Sequence, residues 1–280
     1  MEYAALYKEG VEKLNSVGIS EASLDARLLL EYVCKTDHNT LLSHGDIEVS
    51  EENIKAYEEF IGKRMSRIPV AYIIGNTEFM GIEFDVTEDV LIPNQDTETL
   101  AEEALRFLHD GMNILDLCTG SGCIALSLLK YSNETRAMGT DMSEAALAIA
   151  SQNAVKLGLD DRFLAVKADI FPKAPDTEKF DIIVSNPPYI PTGVIETLAP
   201  EVKTFEPYMA LDGSEDGLLF YRRIIPGAKD YLYRSGYLFL EIGYDQGDAV
   251  RKLMEENGYK DVQVIKDLGG NDRVVSGCFY

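Results

Sequence analysis

The stretch FDIIVSNPPYIP, residues 180–191, ends an apolar run on a polar amide, two prolines and a phenol. Proline has no N–H and a fixed φ, so Pro187 and Pro188 can neither continue a central strand nor sit inside a helix. A residue before proline is pushed to extended geometry as well. The segment is therefore stiff. It holds Asn186 and Tyr189 just beyond the carboxyl end of a predicted strand, where open α/β sheets bind ligands. The groups on offer are acceptors and an aromatic face. The Asn186 side-chain oxygen and the Pro187 carbonyl can each take one N–H from a planar –NH2 group, Pro188 stiffens that carbonyl, and Tyr189 can pack on the same planar group.

Upstream, ILDLCTGSGCIALSLL places Asp116 near the end of another predicted strand, then Thr119-Gly120-Ser121-Gly122, then a helix. Glycines here permit a tight turn and close approach of a ligand to the backbone. Ala125 stands where a dinucleotide fingerprint has its third glycine, and no Gly-Lys-Ser/Thr follows as in a P-loop. The next predicted strand ends on Asp141, an acid suited to two ribose hydroxyls and equally to capping the helix that starts at Ser143. The third ends on Asp169, which could meet an exocyclic amine, with Ile170 against a base. Three strand tips and a Gly-rich loop describe a nucleoside pocket without phosphate binding, which S-adenosylmethionine fits better than NAD.

A strand followed by Asn-Pro-Pro-Tyr, downstream of such a pocket, resembles the amino-methyltransferases, which methylate a planar –NH2 on adenine, cytosine or glutamine. The resemblance sharpens over RIPVAYIIGNTEFMGIEFDVTEDVLIP, the Gly-rich run, FDIIVSNPPYIP, FEPYMALDGSEDGLLFYRRII, YLFLEIGYDQ and DLGGNDRVV. Together these are similar to the peptide chain release factor glutamine methyltransferases, the HemK/PrmC family, over nearly the whole chain. That resemblance implies methylation of the glutamine side-chain amide in the Gly-Gly-Gln motif of bacterial class I release factors. It implies cofactor contacts from Cys118, Thr119, Gly120, Ser121, Gly122, Asp141, Ile170 and Asn186. It implies glutamine binding by Asn186, Pro187, Pro188 and Tyr189. Two departures stand out. The family's Arg-Pro-Glu-Thr-Glu after LIP is here Asn94-Gln95-Asp96-Thr97-Glu98, and Cys118 replaces the usual first glycine of the loop. Glu98, Asp216 and Glu241 can be read as solvated or capping acids or as members of the site.

The elements that must position these groups follow from patterning. Residues 1–72 read as an all-helical domain, with Ser20 and Ser50 as N-caps. Residues 73–94 read as a β-hairpin linker, with strands near Ile73–Val86, and 95–280 as the methyltransferase domain. From Met112 onward apolar strands alternate with helices, which predicts an α/β, Rossmann-like, largely parallel sheet of seven strands covered on both faces. Only the turn DLGGND separates the last two strands, so the final one is expected to be antiparallel. The N-terminal domain, without evident catalytic residues, is assigned to substrate recognition.

Composition narrows the alternatives. With 26 Lys+Arg against 48 Asp+Glu the formal charge is −22. This opposes stable binding to bare nucleic acid, and so opposes a DNA or RNA adenine methyltransferase, which usually brings a basic recognition region. A non-catalytic scaffold that only binds release factor is opposed by the complete Asn-Pro-Pro-Tyr and Gly-rich elements. Four scattered cysteines without a CxxC pair read as small buried hydrophobes in a reducing compartment, not as metal ligands. The charged start MEYAALYKEG is unlike a signal peptide, and no run of about 18 apolar residues occurs. The expectation is a cytoplasmic, monomeric enzyme with no metal.

Overall fold

The computed structural model describes residues 1–173 and 179–280. The chain forms two compact units. One comprises Met1–Gly75 with Ala199–Phe205, the other Asn76–Leu198 with Glu206–Tyr280.

In the first unit, α1 (Tyr3–Ser16), α2 (Ala22–Cys34), α3 (His38–Ser43), α4 (Glu51–Met65) and α5 (Val70–Ile74) surround a core that includes Leu6, Leu14, Leu29, Leu30, Tyr57 and Ile61. Ser50 caps α4 by accepting from the Asn53 N–H at 3.2 Å. Ser20 does not cap α2, which begins at Ala22 with Glu21 at its N-cap. The reason is local. The N–H groups of Gly18, in left-handed geometry, and Ile19 turn back to close the end of α1, and the chain needs further residues to turn before α2. The short helix at Pro200–Phe205 belongs to this unit, because Glu201 Oε1 accepts from Arg64 at 3.0 Å and Arg67 at 3.2 Å. Buried Arg64 also bonds Asp25 at 2.7 Å.

In the second unit, a hairpin of β1 (Asn76–Phe79) and β2 (Ile82–Asp85) precedes α6 (Gln95–Phe107). The hairpin is shorter than the pattern predicts. Ile73 and Ile74 finish α5, whose C-cap Gly75 is left-handed. The alternation then runs β3 (Asn113–Leu117), α7 (Cys123–Lys130), β4 (Arg136–Asp141), α8 (Glu144–Leu157), β5 (Phe163–Lys167) and β6 (Phe180–Ser185). After the short helices α9 (Thr192–Ile195) and α11 (Tyr208–Leu211), separated in sequence by α10 (Pro200–Phe205) of the first unit, come α12 (Leu219–Tyr231), β7 (Leu232–Glu241), α13 (Gly247–Glu256), β8 (Lys260–Lys266) and β9 (Asp272–Phe279).

Among the described residues, the sheet has seven strands in the order β5-β4-β3-β6-β7-β9-β8. The first five are parallel to one another, and β9 runs antiparallel to both of its neighbours. Successive side chains on a strand face opposite sides. Ile114, Ile182, Val184, Phe239 and Val274 therefore enter the core that includes residues of α6 and α7. Leu115, Ile183, Leu238, Leu240 and Val275 enter the core that includes residues of α12 and α13. A sheet buried on both faces explains why its strands read as continuous apolar runs.

Candidate functional site

β3 and β6 are neighbours in parallel register, with Leu117 opposite Ser185. The Ser185 hydroxyl donates to the Leu117 carbonyl at 2.7 Å and locks that register. Cys118 and Asn186 are the next residues, so the Gly-rich turn and Asn-Pro-Pro-Tyr leave the sheet side by side. The chain proceeds outward from β3 to β5 and then returns to β6, so this is the point where strand order reverses and ligand crevices form.

The turn is shaped by left-handed backbone at Cys118 (φ 60), Gly120 (φ 55) and Gly122 (φ 80). Such a φ strains a residue that carries a Cβ, so Cys118 stands where glycine would be unstrained. Burial, with Asp141 and Asp116 nearby, pushes the Cys118 thiol up and keeps it neutral. Below the turn, Asp116 is fully buried and accepts from the Thr119 hydroxyl at 2.6 Å; burial pushes its carboxyl up to about 7. Asp141 ties two strand tips together. Its Oδ2 accepts from Gly120 N at 3.1 Å and its Oδ1 from Ser143 N at 2.9 Å. Ser143 itself caps α8 by accepting from Ala146 N.

At the third tip, Ile170 holds φ 71. Left-handed geometry in a β-branched residue is a genuine outlier, of the kind that clusters at ligand sites. Its carbonyl accepts from the Thr140 hydroxyl at 2.7 Å, which helps to fix the distortion. Asp169 beside it is paired with Arg223 at 2.8 Å in solvent-exposed geometry, a weak and readily exchanged contact.

The Asn-Pro-Pro-Tyr segment is clamped by main chain. The Ile190 N–H donates to Leu211 O at 3.0 Å, Gly213 N donates to Ile190 O at 2.8 Å, and Gln246 Nε2 donates to Tyr189 O at 3.0 Å. A Cβ at Gly213 would lie 2.8 Å from Tyr189 Cα, and one at Gly217 (φ 73) would collide with the Tyr189 carbonyl oxygen. The glycines of LDGSEDG are thus required for backbone to lie directly on backbone.

Behind this segment lies a polar cluster. The Tyr189 hydroxyl donates to Glu241 Oε1 at 3.2 Å, and Asn186 Nδ2 donates to Thr97 Oγ1 at 3.2 Å. Burial pushes the Glu241 carboxyl up to about 7, against the favourable influence of Thr97, Arg273 and Tyr189. Burial also drives the Tyr189 phenol well above its ordinary value, with the Glu241 charge adding to it. Arg273 bridges Asp96 at 2.9 Å and Asp267 at 3.1 Å.

A cavity of about 960 Å³, including its open mouth, joins these parts. Cys118, Thr119, Gly120, Ser121, Asp141, Asp169, Ile170, Asn186 and Pro188 all line it. Gly122, Pro187 and Tyr189 do not; the Tyr189 ring packs on the α12–α13 side core. Asp89, Leu91, Ile92, Met142, Met209 and Phe220 line it as well, without having been singled out in the sequence, and so do Asn94 and Thr97 of the segment that departs from the family pattern. Three carboxylates, Asp89, Asp141 and Asp169, face the cavity, and among the described residues no lysine or arginine does. That donor set does not suit a pyrophosphate and does suit a cationic nucleoside.

The ambiguous acids separate. Glu98 accepts from Met80 N at 2.6 Å and anchors the hairpin turn. Asp216 is exposed and takes Leu218 N and Arg222. Glu241 alone is buried behind the site. An acid ending the apolar run YLFLE was its signal. Asn94 replaces the helix-start function of the missing Arg-Pro by accepting from Asp96 N at 3.0 Å, capping α6.

A Gly-rich turn and Asn-Pro-Pro-Tyr at the switch point of this sheet define a methyltransferase, and a family model described as "Methyltransferase domain" matches residues 108–265. A second, described as "PrmC N-terminal domain", matches residues 5–75. The chain is 40% identical over 275 residues to a release factor glutamine methyltransferase of Clostridium botulinum, covering 97% of each chain. It is 40% identical to that of Geobacter sulfurreducens, covering 93% of this chain and 90% of the relative. The chain belongs to the release factor glutamine methyltransferase family and is a protein-(glutamine-N5) methyltransferase. The fold also matches a solved T. thermophilus 16S rRNA N2 G1207 methyltransferase in complex with AdoMet and guanosine. There the TM-score is 0.52 at 18% identity, covering 73% of this chain and 50% of that one.

Proposed function

We propose that this enzyme transfers a methyl group from S-adenosylmethionine to the side-chain amide nitrogen of the glutamine in the Gly-Gly-Gln loop of class I release factors. One observation carries the reading: a single cavity is lined by the Gly-rich turn and by Asn186 and, among the described residues, by no cationic side chain. The cavity fits the donor. The turn Cys118–Ser121, which lines the cavity, offers contacts to its chain, Asp141 acceptors to its ribose hydroxyls, and Ile170 an apolar wall to its base. S-Adenosylmethionine, when bound, supplies a methyl group already activated by its sulfonium charge.

The chain's own task is alignment. An amide nitrogen is a poor nucleophile because its lone pair is delocalised. Asn186 Oδ1, with no hydrogen-bond partner among the described residues, accepts one substrate N–H, and the Pro187 carbonyl accepts the other. Together they pin the nitrogen and favour the pyramidal, charge-developing geometry of attack. Tyr189 and Pro188 hold these acceptors in place. The relatives' names support the glutamine acceptor, and the AdoMet complex of the rRNA enzyme supports the donor.

Gly-Gly-Gln suits the cleft because glycines let a slender loop enter it. Residues 1–72 are assigned to holding the body of the release factor, with 73–94 as linker and 95–280 as the catalytic domain. Labelled S-adenosylmethionine tests the reading against intact release factor, the same factor with its glutamine replaced, a Gly-Gly-Gln peptide and duplex DNA. Label should enter the intact factor alone at high efficiency. Label in DNA, or equal transfer to the glutamine-less factor, would overturn it.

A further inference from the structure

Thr97 stands between Asn186 and Glu241. It is buried in the first turn of α6, accepts from Asn186 Nδ2 at 3.2 Å and is the neighbour that most favours the charged form of the Glu241 carboxylate, whose buried Oε2 has no hydrogen-bond partner among the described residues. Glu241 Oε1 also receives the Tyr189 hydroxyl. A hydroxyl carries one proton, and an ionised carboxylate only accepts. The Thr97 proton therefore points to Glu241, and its lone pairs are left for Asn186. Only the Nδ2 side of the Asn186 amide satisfies those lone pairs, which turns Oδ1 to the cavity. The reverse orientation would set an –NH2 against the substrate's –NH2, donor against donor.

We propose that Thr97 and Glu241 are positioning residues that fix the orientation of the Asn186 amide, so that an oxygen rather than a nitrogen meets the substrate amide. The inference rests on Asn186 being the acceptor for that amide. Thr97 and Glu241 lie far apart in sequence, and among the described residues no hydrogen bond joins either of them to the Gly-rich turn or to Asp141, so their effect is on alignment rather than on cofactor affinity. The carboxylate is set among groups that control its charge. Asp96 and Thr97 face it from α6, Tyr189 from the proline segment, Arg273 from β9 and Cys123 from α7, while the Tyr221 hydroxyl of α12 bonds its backbone carbonyl at 2.8 Å. Burial holds its carboxyl up at about 7. Protonated, it becomes a donor toward Thr97 and the direction of the chain is lost.

The test is steady-state methylation of purified release factor by wild type, Thr97→Ser, Thr97→Val, Glu241→Gln and the Thr97→Val/Glu241→Gln double variant. Thr97→Val and Glu241→Gln should each lower kcat by about 10–100-fold, with KM for S-adenosylmethionine within about threefold, as expected when only geometry is lost. Thr97→Ser should restore kcat to within about threefold of wild type. The double variant should be little worse than the poorer single one, since both substitutions break one chain. Wild-type kcat should rise as pH passes through about 7, and Glu241→Gln should lose that limb. Wild-type kcat in Thr97→Val, or a Thr97→Ser variant as poor as Thr97→Val, overturns the proposal. If Thr97→Val fails to fold, Glu241→Gln decides: an unchanged kcat and pH limb overturn it. A wild-type enzyme that leaves release factor unmethylated overturns the underlying reading instead.

Discussion

The two halves of the cavity are built on opposite plans. The half proposed to hold the donor, at the tips of β3, β4 and β5, is made of short local turns. Its backbone is distorted at Cys118, Gly120, Gly122 and Ile170, and its acids, Asp141 and Asp169, are open to solvent or to exchangeable partners. The acceptor half, beyond β6 and β7, is made of pieces from distant parts of the chain, with Thr97, Glu241, Gln246 and Arg273 buried or nearly so behind Asn186 and Tyr189. A donor that arrives already activated needs a shaped cradle. A sluggish amide nitrogen needs fixed acceptors, and fixing them takes a dry, hydrogen-bonded support.

If that contrast holds, damage to the acceptor half should appear in turnover and damage to the donor half in affinity. Asn186→Ala should give the largest effect, a fall of about 10²–10³ in kcat with cofactor binding retained, by analogy with losing an oxyanion-hole donor. Single-turnover methylation with calorimetry checks it, and a near-normal rate would make the strand end purely structural. Gly217→Ala should follow. Its Cβ meets the Tyr189 carbonyl at a positive φ, so a loss of about 2–3 kcal/mol of stability and a displaced proline segment are expected in thermal melts and rate assays.

Asp141→Ala should weaken S-adenosylmethionine by about 1–3 kcal/mol, the cost of unmatched ribose hydroxyls, with kcat at saturating cofactor little changed. Unchanged affinity would remove Asp141 from the pocket.

The buried acid gives a subtler signature. The folded-state pKa of Glu241 lies near 7, above its ordinary 4.5. Its contribution to stability is therefore fully present below about pH 4.5 and lost as pH rises through about 7. Glu241→Gln should flatten that decline, by about 3 kcal/mol at pH 8. Slope that remains belongs to the other carboxyls that burial raises, Asp116 and Glu206 foremost, with Asp25 and Glu31 raised in the same direction. The same ionisation would thus weaken the fold and direct the Thr97 hydroxyl, a local conflict typical of functional sites. The smallest effect is expected for Cys118→Gly, where relief of a positive φ offsets glycine's added chain entropy. Stability should change by no more than about 1 kcal/mol and cofactor affinity not at all, if contact there is through backbone.

The same contrast explains what could be read in advance. The fold was legible because a sheet buried on both faces writes itself as apolar runs, as in Phe180–Val184 and Leu238–Leu240. Cavity-lining residues such as Cys118, Gly120, Asp141 and Ile170 were legible because each lies within a few positions of a strand end. Thr97 and Gln246 were not, because nothing local marks a threonine in a first helical turn or a glutamine before a helix as partners of residues far along the chain. Glu241 was ambiguous for the same reason. Acids at helix starts and acids behind a site look alike until burial separates them, as it does Glu241 from Asp216. The Ser20 cap failed on chain geometry: closing α1 uses residues that a propensity argument counts as free.

The hydroxyl of Ser185 on the Leu117 carbonyl has a consequence for how such enzymes can be recombined. Parallel strands are held by an evenly spaced ladder that does not itself distinguish one register from the next, and each step moves the chain about 3.3 Å. A slip of one residue would carry Asn186 away from Cys118 and turn every β6 side chain to the opposite face. The serine acts as a detent on that ladder. A chimera that grafts a foreign β6 and proline segment onto this β3 should keep its two loops in step only if the residue before the asparagine can still reach that carbonyl, whatever the rest of the transplanted strand contains.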